Sequence, residues 1–126
     1  MIYGIGVDIV EIKRIAKAWE RWGERFEKRI FTPAEVKFSR SRYYPDSALA
    51  MRFAAKEAFS KAVGMGLRSA ELLWRDIEVR HNDRGKPYLV LNGTAAVVAD
   101  RINLKASHVS LTDEAGMAQA FVVVEV

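Results

Sequence analysis

This sequence of 126 residues contains no cysteine. Disulfides, thiolate metal sites and cysteine nucleophiles are therefore excluded, and the absence suits a reducing compartment. It also lacks an apolar run long enough to span a bilayer, and its N-terminus shows no basic segment leading into a signal-type apolar stretch. The expectation is a soluble, cytoplasmic protein with no membrane partner. Low-complexity tracts, solenoid-length repeats and Ser/Gly/Pro linkers are missing too, so residues 1–126 read as a single domain. Histidine is scarce. His81 falls in a turn and His108 at a strand end, and both read as structural or solvated.

What the chain does have is enough apolar material for a core: 50% of its residues are hydrophobic, with 29% charged. A net charge of +4 and a pI near 9.5 suggest an anionic partner without identifying it.

The stretch "GIGVDIVEI", residues 4–12, reads as a strand with a carboxylate among residues that fill a buried sheet. Alternate side chains point to opposite faces. Tyr3, Ile5, Val7 and Ile9 then form one apolar face, and Gly4, Gly6 and Asp8 the other. Two glycines beside Asp8 leave bare backbone that something outside the strand can approach closely. An ion pair with a Lys or Arg would explain Asp8 equally well at this level.

Residues 13 to 30 carry a helical period, with Ile15, Trp19, Trp22, Phe26 and Ile30 as the buried stripe. Arg14, Lys17, Arg21, Arg25 and Lys28 fall on one line of that helix, and Glu20, Glu24 and Glu27 on another. The pattern fits a solvated helix with intrahelical pairs, or a docking surface for an acidic partner.

"FTPAEVKF" marks a helix start, with Thr32 as cap, Pro33 at the first helical position and Glu35 completing a capping box. Asp46 or Ser47 can cap the next helix, "ALAMRFAAKEAFSKAVGMG", which stops at Gly64 or Gly66. This helix is apolar on most sides, which places it deep in the fold. Four charges interrupt it. Arg52 with Lys56, and Glu57 with Lys61, could pair along the helix, but Glu57 sits where a counter-charge or a metal is usually needed.

The second half looks like two strands around an Asn-Asp-Arg-Gly turn, with Asp76, Glu78 and Arg80 on one face. A short helix capped by Thr94 follows, to about Ile102. A final hairpin turns between Asp113 and Gly116. The order predicts an α+β fold with a mostly antiparallel sheet packed with helices.

Four segments, "GIGVDIVEI", "RFAAKEAFSKAVGMG", "WRDIEVRHNDRGKPYLVL" and "HVSLTDEAGMAQAFV", resemble in this order the holo-[acyl-carrier-protein] synthases, the short trimeric class of phosphopantetheinyl transferases. The resemblance covers nearly the whole chain. It implies the phosphopantetheinyl transferase fold as a homotrimer, and transfer of 4'-phosphopantetheine from coenzyme A to a serine of apo acyl carrier protein, releasing adenosine 3',5'-bisphosphate. Magnesium is the implied cofactor, with Asp8 and Glu57 at the positions of the metal ligands; Mg²⁺ prefers a few carboxylates plus water and phosphate oxygens.

By the same resemblance Lys61 would contact the pyrophosphate, Arg52 and Lys56 the cofactor's phosphates, and Lys86 and Pro87 of "RGKP" the nucleotide. Glu57 is the candidate base, directly or through bound water. The basic line of Arg14, Lys17, Arg21 and Arg25 would dock the carrier. One position departs from the family pattern: Asp113 stands where many members have histidine, and a carboxylate there would repel phosphate unless it points away.

A nucleic-acid-binding module is the rival reading, favoured by the charge and the basic line. The acidic line beside it and the lack of a strand alternating aromatic with basic residues weigh against that. A noncatalytic oligomer that only docks a carrier would have no use for Asp8 and Glu57 together.

Overall fold

The computed structural model describes residues 1–67 and 69–126. In chain order the elements are β1 (Ile2–Glu11), α1 (Ile12–Trp22), α2 (Glu24–Ile30), α3 (Pro33–Arg40), α4 (Pro45–Val63), a 3₁₀ turn (Trp74–Asp76), β2 (Ile77–His81), β3 (Pro87–Leu91), α5 (Gly93–Arg101), β4 (Ala106–Glu114) and β5 (Met117–Glu125). The class is α+β, as predicted. The strands form two antiparallel sheets, one ordered β1-β5-β4 and the other the hairpin β2-β3.

Helix α4 is the centre of the core. Its alanines, Ala54, Ala55, Ala58 and Ala62, let it lie close against the inner face of β5, where Ala118, Ala120, Val122 and Val124 are buried. Small residues on both sides permit a short helix-to-sheet distance, and β1 takes this to its limit. Gly4 and Gly6 face α4, and a Cβ on either would overlap the carbonyl oxygen of Ala62 or Ala58.

The alternation expected along β1 therefore holds, and what approaches the glycines is the backbone of α4. Asp8 continues their row, opposite Ala120 in the register. The apolar residues of the other face look away from the core: Ile5, Val7 and Ile9 are 59%, 45% and 57% exposed, with Phe121 beside Val7 at 42%.

The helix expected over residues 13–30 is two helices. Gly23 breaks it at φ +52° and ψ −124°, a conformation available to glycine and not to its neighbours. The break turns Trp22 out of the buried stripe, leaving Ile15 and Ile30 fully buried with Trp19 and Phe26 packed partly against the core. It also divides the basic line, so that Arg14, Lys17 and Arg21 lie on α1 and Arg25 and Lys28 on α2.

The capping box at Thr32 forms as expected, with Glu35 N donating to Thr32 Oγ1 and Thr32 N to Glu35 Oε1. Two other caps differ. Tyr44 is the N-cap of α4, ahead of Pro45. At α5 the cap is supplied from outside, because the Asp76 carboxylate accepts from both the backbone N–H and the hydroxyl of Thr94.

Candidate active site

Asp8 lies at the edge of the α4–sheet contact, where the glycine row ends. From the last turn of α4, the ammonium of Lys61 donates to Asp8 Oδ1 at 3.1 Å and to the carbonyl oxygen of Val7 at 2.9 Å. Lys61 is thus paired across elements with β1, and the Glu57–Lys61 helix pair considered from the sequence is replaced by this bridge. Glu57, one turn earlier, accepts a hydrogen bond from the indole Nε1 of Trp74 at 3.2 Å.

Both carboxylates line one cavity of about 660 Å³, open to solvent. Arg14 of α1 and Arg25 and Arg29 of α2 reach the same cavity, with Trp22, Phe53 and Trp74 as its apolar wall. Two carboxylates facing three guanidiniums make a place that can take both a cation and an anionic group. Lys17 and Arg21, expected on the same line as Arg14 and Arg25, are not part of this lining; Arg21 instead lies 4.9 Å over the ring of Trp22.

A second cavity of about 920 Å³ holds another part of the expected set: Arg52, Lys86 and Pro87, joined by Arg42, His81, Ser110 and Asp113. Arg52 is buried. Its Nη1 donates to the carbonyl of Ala48, its guanidinium covers the ring of Phe38 at 4.3 Å, and its Nε is buried with no partner. Burial pushes its pKa down to about 10, with Arg42 adding to the effect and Glu35 opposing it. An anion arriving here would relieve that cost.

His81 stacks on Phe38 at 4.5 Å, and burial followed by the charges of Arg52 and Arg42 lowers its pKa. It sits at the end of β2 in the cavity wall, more engaged than a turn residue. Asp113 accepts a hydrogen bond from the hydroxyl of Ser47 in the first turn of α4, where a helix N-terminus favours negative charge. Its carboxylate is therefore held by the helix start.

Lys56 belongs to neither cavity, which corrects the expectation that it contacts the cofactor's phosphates. It is fully buried, and its three donors go to Glu35 Oε1 at 2.7 Å, Trp74 O at 3.0 Å and Ile77 O at 2.7 Å. An ammonium has three hydrogens, and none is left for a phosphate. Glu35 in turn accepts from Val79 N with its other oxygen. The pair is an internal strut between α3, α4 and β2.

Sequence reasoning missed Arg29, Arg42, Phe53 and Trp74. The signal for Arg29 was Gly23 itself, since a glycine inside a helical pattern argues for a break, and a break rotates α2 against α1. Nothing local marks Trp74, which is 17 residues from Glu57 and meets it only through the fold.

The comparisons with known proteins agree with this architecture. The model of the 4'-phosphopantetheinyl transferase superfamily matches residues 4–120. The holo-[acyl-carrier-protein] synthase of Variovorax paradoxus is 48% identical over 130 residues, spanning 99% of this chain and 98% of its own. That of Halothermothrix orenii is 44% identical over 125 residues, spanning 99% and 98%. Among solved structures, the holo-[acyl-carrier-protein] synthase of Neisseria meningitidis superposes with a TM-score of 0.89 at 40% identity, covering 99% of each chain. The Helicobacter pylori enzyme in complex with coenzyme A gives 0.85 at 34% identity, covering 96% of this chain and 99% of that one.

Proposed function

This chain belongs to the 4'-phosphopantetheinyl transferase superfamily, and on that footing we propose that it is a holo-[acyl-carrier-protein] synthase. It transfers 4'-phosphopantetheine from coenzyme A to a serine of apo acyl carrier protein. The serine oxygen forms a bond to the phosphorus that carries the pantetheine arm, the pyrophosphate bridge breaks, and adenosine 3',5'-bisphosphate leaves. The observation that carries the reading is the meeting of Asp8 and Glu57 in one cavity lined with arginines.

Asp8 and Glu57 would hold Mg²⁺. The donor set fits that ion, which binds through one or two carboxylates and takes its remaining ligands from water and phosphate; among the described residues no group of three or more His, Asp or Glu gathers into a fuller protein cage. When bound, the ion supplies neutralisation of the charge on the pyrophosphate. Lys61, exposed and already beside Asp8, reaches the same anion. Glu57 accepts the serine proton, which requires one of its oxygens to be free when the hydroxyl arrives.

Arg52, Lys86 and Pro87 bind the nucleotide end of coenzyme A in the second cavity, whose wall they help to form. The two cavities share no lining residue. As the family resemblance implies, one coenzyme A would draw its contacts from two chains of a homotrimer, assembled through the exposed apolar face of β1 and β5. Arg14, Lys17, Arg21 and Arg25 dock the acidic carrier. A cytoplasmic location is part of the proposal.

The test is a mass spectrum of apo carrier protein incubated with this protein, coenzyme A and Mg²⁺, in which one phosphopantetheine should be added. Asp8→Ala and Glu57→Ala should each slow transfer by about a thousandfold, the several kcal/mol a charge-neutralising metal is worth. Both should stay folded, since neither carboxylate belongs to the apolar core and the pair that Asp8 makes with the half-exposed Lys61 contributes about 1 kcal/mol. Glu57→Gln should fail as well, because an amide cannot take the proton. No addition by the wild type with any divalent metal sinks the transferase reading, and wild-type turnover in either alanine variant sinks the metal assignment.

A further inference from the structure

The indole of Trp74 is bonded to the carboxylate that the proposed reaction depends on most. Its Nε1–H donates to Glu57 Oε1 at 3.2 Å, and both residues line the cavity that contains Asp8. An indole N–H donates and never accepts. It can therefore hold one carboxylate oxygen without competing for a proton or a metal.

The turn that carries the indole is fastened at both ends. Lys56 Nζ donates to the carbonyl of Trp74 at 3.0 Å and to that of Ile77 at 2.7 Å. On the other side, the Asp76 carboxylate accepts from Thr94 N and Thr94 Oγ1, and Thr94 Oγ1 accepts from Leu73 N at 3.0 Å. The guanidinium of Arg29 lies over the ring, 5.8 Å from its centre.

Lys56 directly precedes Glu57 on α4. The same helical turn that presents the carboxylate thus anchors, through the neighbouring side chain, the residue that restrains it. Helix backbone, Lys56, Trp74 and Glu57 close a ring. A glutamate outside such a ring samples several rotamers, and stopping it on substrate arrival costs side-chain entropy. Here that ordering is done when the chain folds, by a partly buried indole whose backbone is anchored by the fully buried Lys56.

We propose that Trp74 is a positioning residue, holding Glu57 Oε1 so that the carboxylate is fixed for the divalent cation and for the serine proton. The inference rests on the reading of Glu57 as ligand and base. Trp74 acts through Glu57, so its loss should appear in metal affinity and kcat and leave the KM values for coenzyme A and carrier within about twofold. Removing the hydrogen-bonding partner of a metal ligand typically weakens metal binding or activity by about tenfold to a hundredfold.

The experiment compares Trp74→Phe with the wild type by Mn²⁺ titration, followed by electron paramagnetic resonance with coenzyme A present, alongside transfer kinetics. Mn²⁺ binding should weaken by about tenfold or more and kcat should fall in parallel. In a Glu57→Ala background, where no oxygen is left for the indole to hold, Trp74→Phe should cause no further loss of Mn²⁺ affinity. Equal losses in both backgrounds, or wild-type Mn²⁺ binding and kcat in Trp74→Phe, overturn the proposal. Should the phenylalanine variant not fold, replacing Trp74 by benzothienylalanine keeps the ring shape and removes only the N–H; the same outcomes apply. If the wild type transfers no phosphopantetheine while Trp74→Phe weakens Mn²⁺ binding only when Glu57 is present, the transferase reading falls and the positioning role stands. Normal transfer and Mn²⁺ binding in both proteins overturn the positioning role alone.

Discussion

Gly6 is pressed against Ala58 so closely that a Cβ on it would overlap the Ala58 carbonyl oxygen and stand 2.8 Å from the carbonyl carbon. Both are backbone atoms of α4 and cannot swing aside as a side-chain tip could. Gly6→Ala must push β1 off the helix, which also moves Asp8 away from Glu57 and Lys61. Overpacking of this kind costs about 3 kcal/mol, or about 10 °C in Tm for a domain of this size. Calorimetry checks the stability. Gly66→Ala, with open space around the new methyl group, is the comparison and should melt within a few degrees of the wild type.

Lys56 and Glu35 make the opposite test, of a charge with no exit. Both are buried, and Lys56 has its pKa lowered by burial even though Glu35 opposes the shift. Lys56→Met leaves the Glu35 carboxylate buried without its counter-charge, which costs about 3 to 5 kcal/mol. Adding Glu35→Gln should recover part of that loss, because the uncompensated charge is then gone. Denaturant unfolding measures both. If Lys56 contacted coenzyme A, the single variant would also raise its KM; with all three hydrogens committed inside the protein, the KM measured on the folded fraction should be unchanged.

How much of this was legible in the sequence depends on whether the signal is local. The capping box at Thr32–Glu35, the end of α4 at Gly64, the hairpin around Asn82–Gly85 and the strand parity of Asp8 are all written within a few residues, and each formed. The final hairpin turns more tightly than expected, at Ala115 and Gly116 with φ of 50° and 78°, so β4 extends through Asp113 and Glu114. What could not be read locally is which long-range partner a charge finds. Lys56 and Lys61 look alike on the helix, yet one is sealed against Glu35 and the other half exposed against Asp8. Their difference is set by which face of α4 meets α3 and which meets the sheet edge. The helical period of residues 13–30 was real but overran Gly23, because hydrophobic spacing continues across the break and the glycine is its one local mark.

The outward face of the three-stranded sheet predicts assembly. Val7 and Phe121 are register partners across β1 and β5, about half exposed, in the middle of an apolar patch with Ile5 and Ile9. Single exposed apolar side chains are ordinary, but a contiguous patch on a sheet marks an interface. Val7→Lys/Phe121→Lys should leave the fold of the single chain intact, because neither side chain faces the core. Light scattering should move from the mass of three chains to that of one, and transfer should fall with it if two chains build each site. A wild type that is a fully active monomer at micromolar concentration contradicts the trimer.

The division of the basic line at Gly23 sharpens what the arginines should do. Arg14 and Arg25 line the cavity of Asp8 and Glu57, while Lys17 and Arg21 do not. A carrier that presents its serine to those carboxylates passes Arg14 and Arg25, and acidic residues flanking the serine would be attracted over the last few ångströms. Arg14→Glu/Arg25→Glu should therefore raise the carrier KM by about tenfold or more and leave the coenzyme A KM nearly unchanged, because steering acts on encounter with the charged partner. Lys17→Glu/Arg21→Glu makes the same change in net charge farther from the cavity and should have a smaller effect. Exposed charges are screened over about 10 Å at 0.1 M salt, so the wild-type carrier KM should rise with ionic strength and the Arg14/Arg25 reversal should lose most of that dependence. A solvated helix face predicts something else: pairs such as Lys28–Glu24, almost wholly exposed at 3.5 Å, are worth a few tenths of a kcal/mol in stability and nothing in kinetics. An unchanged carrier KM in both double reversals, at low salt, returns these arginines to that role.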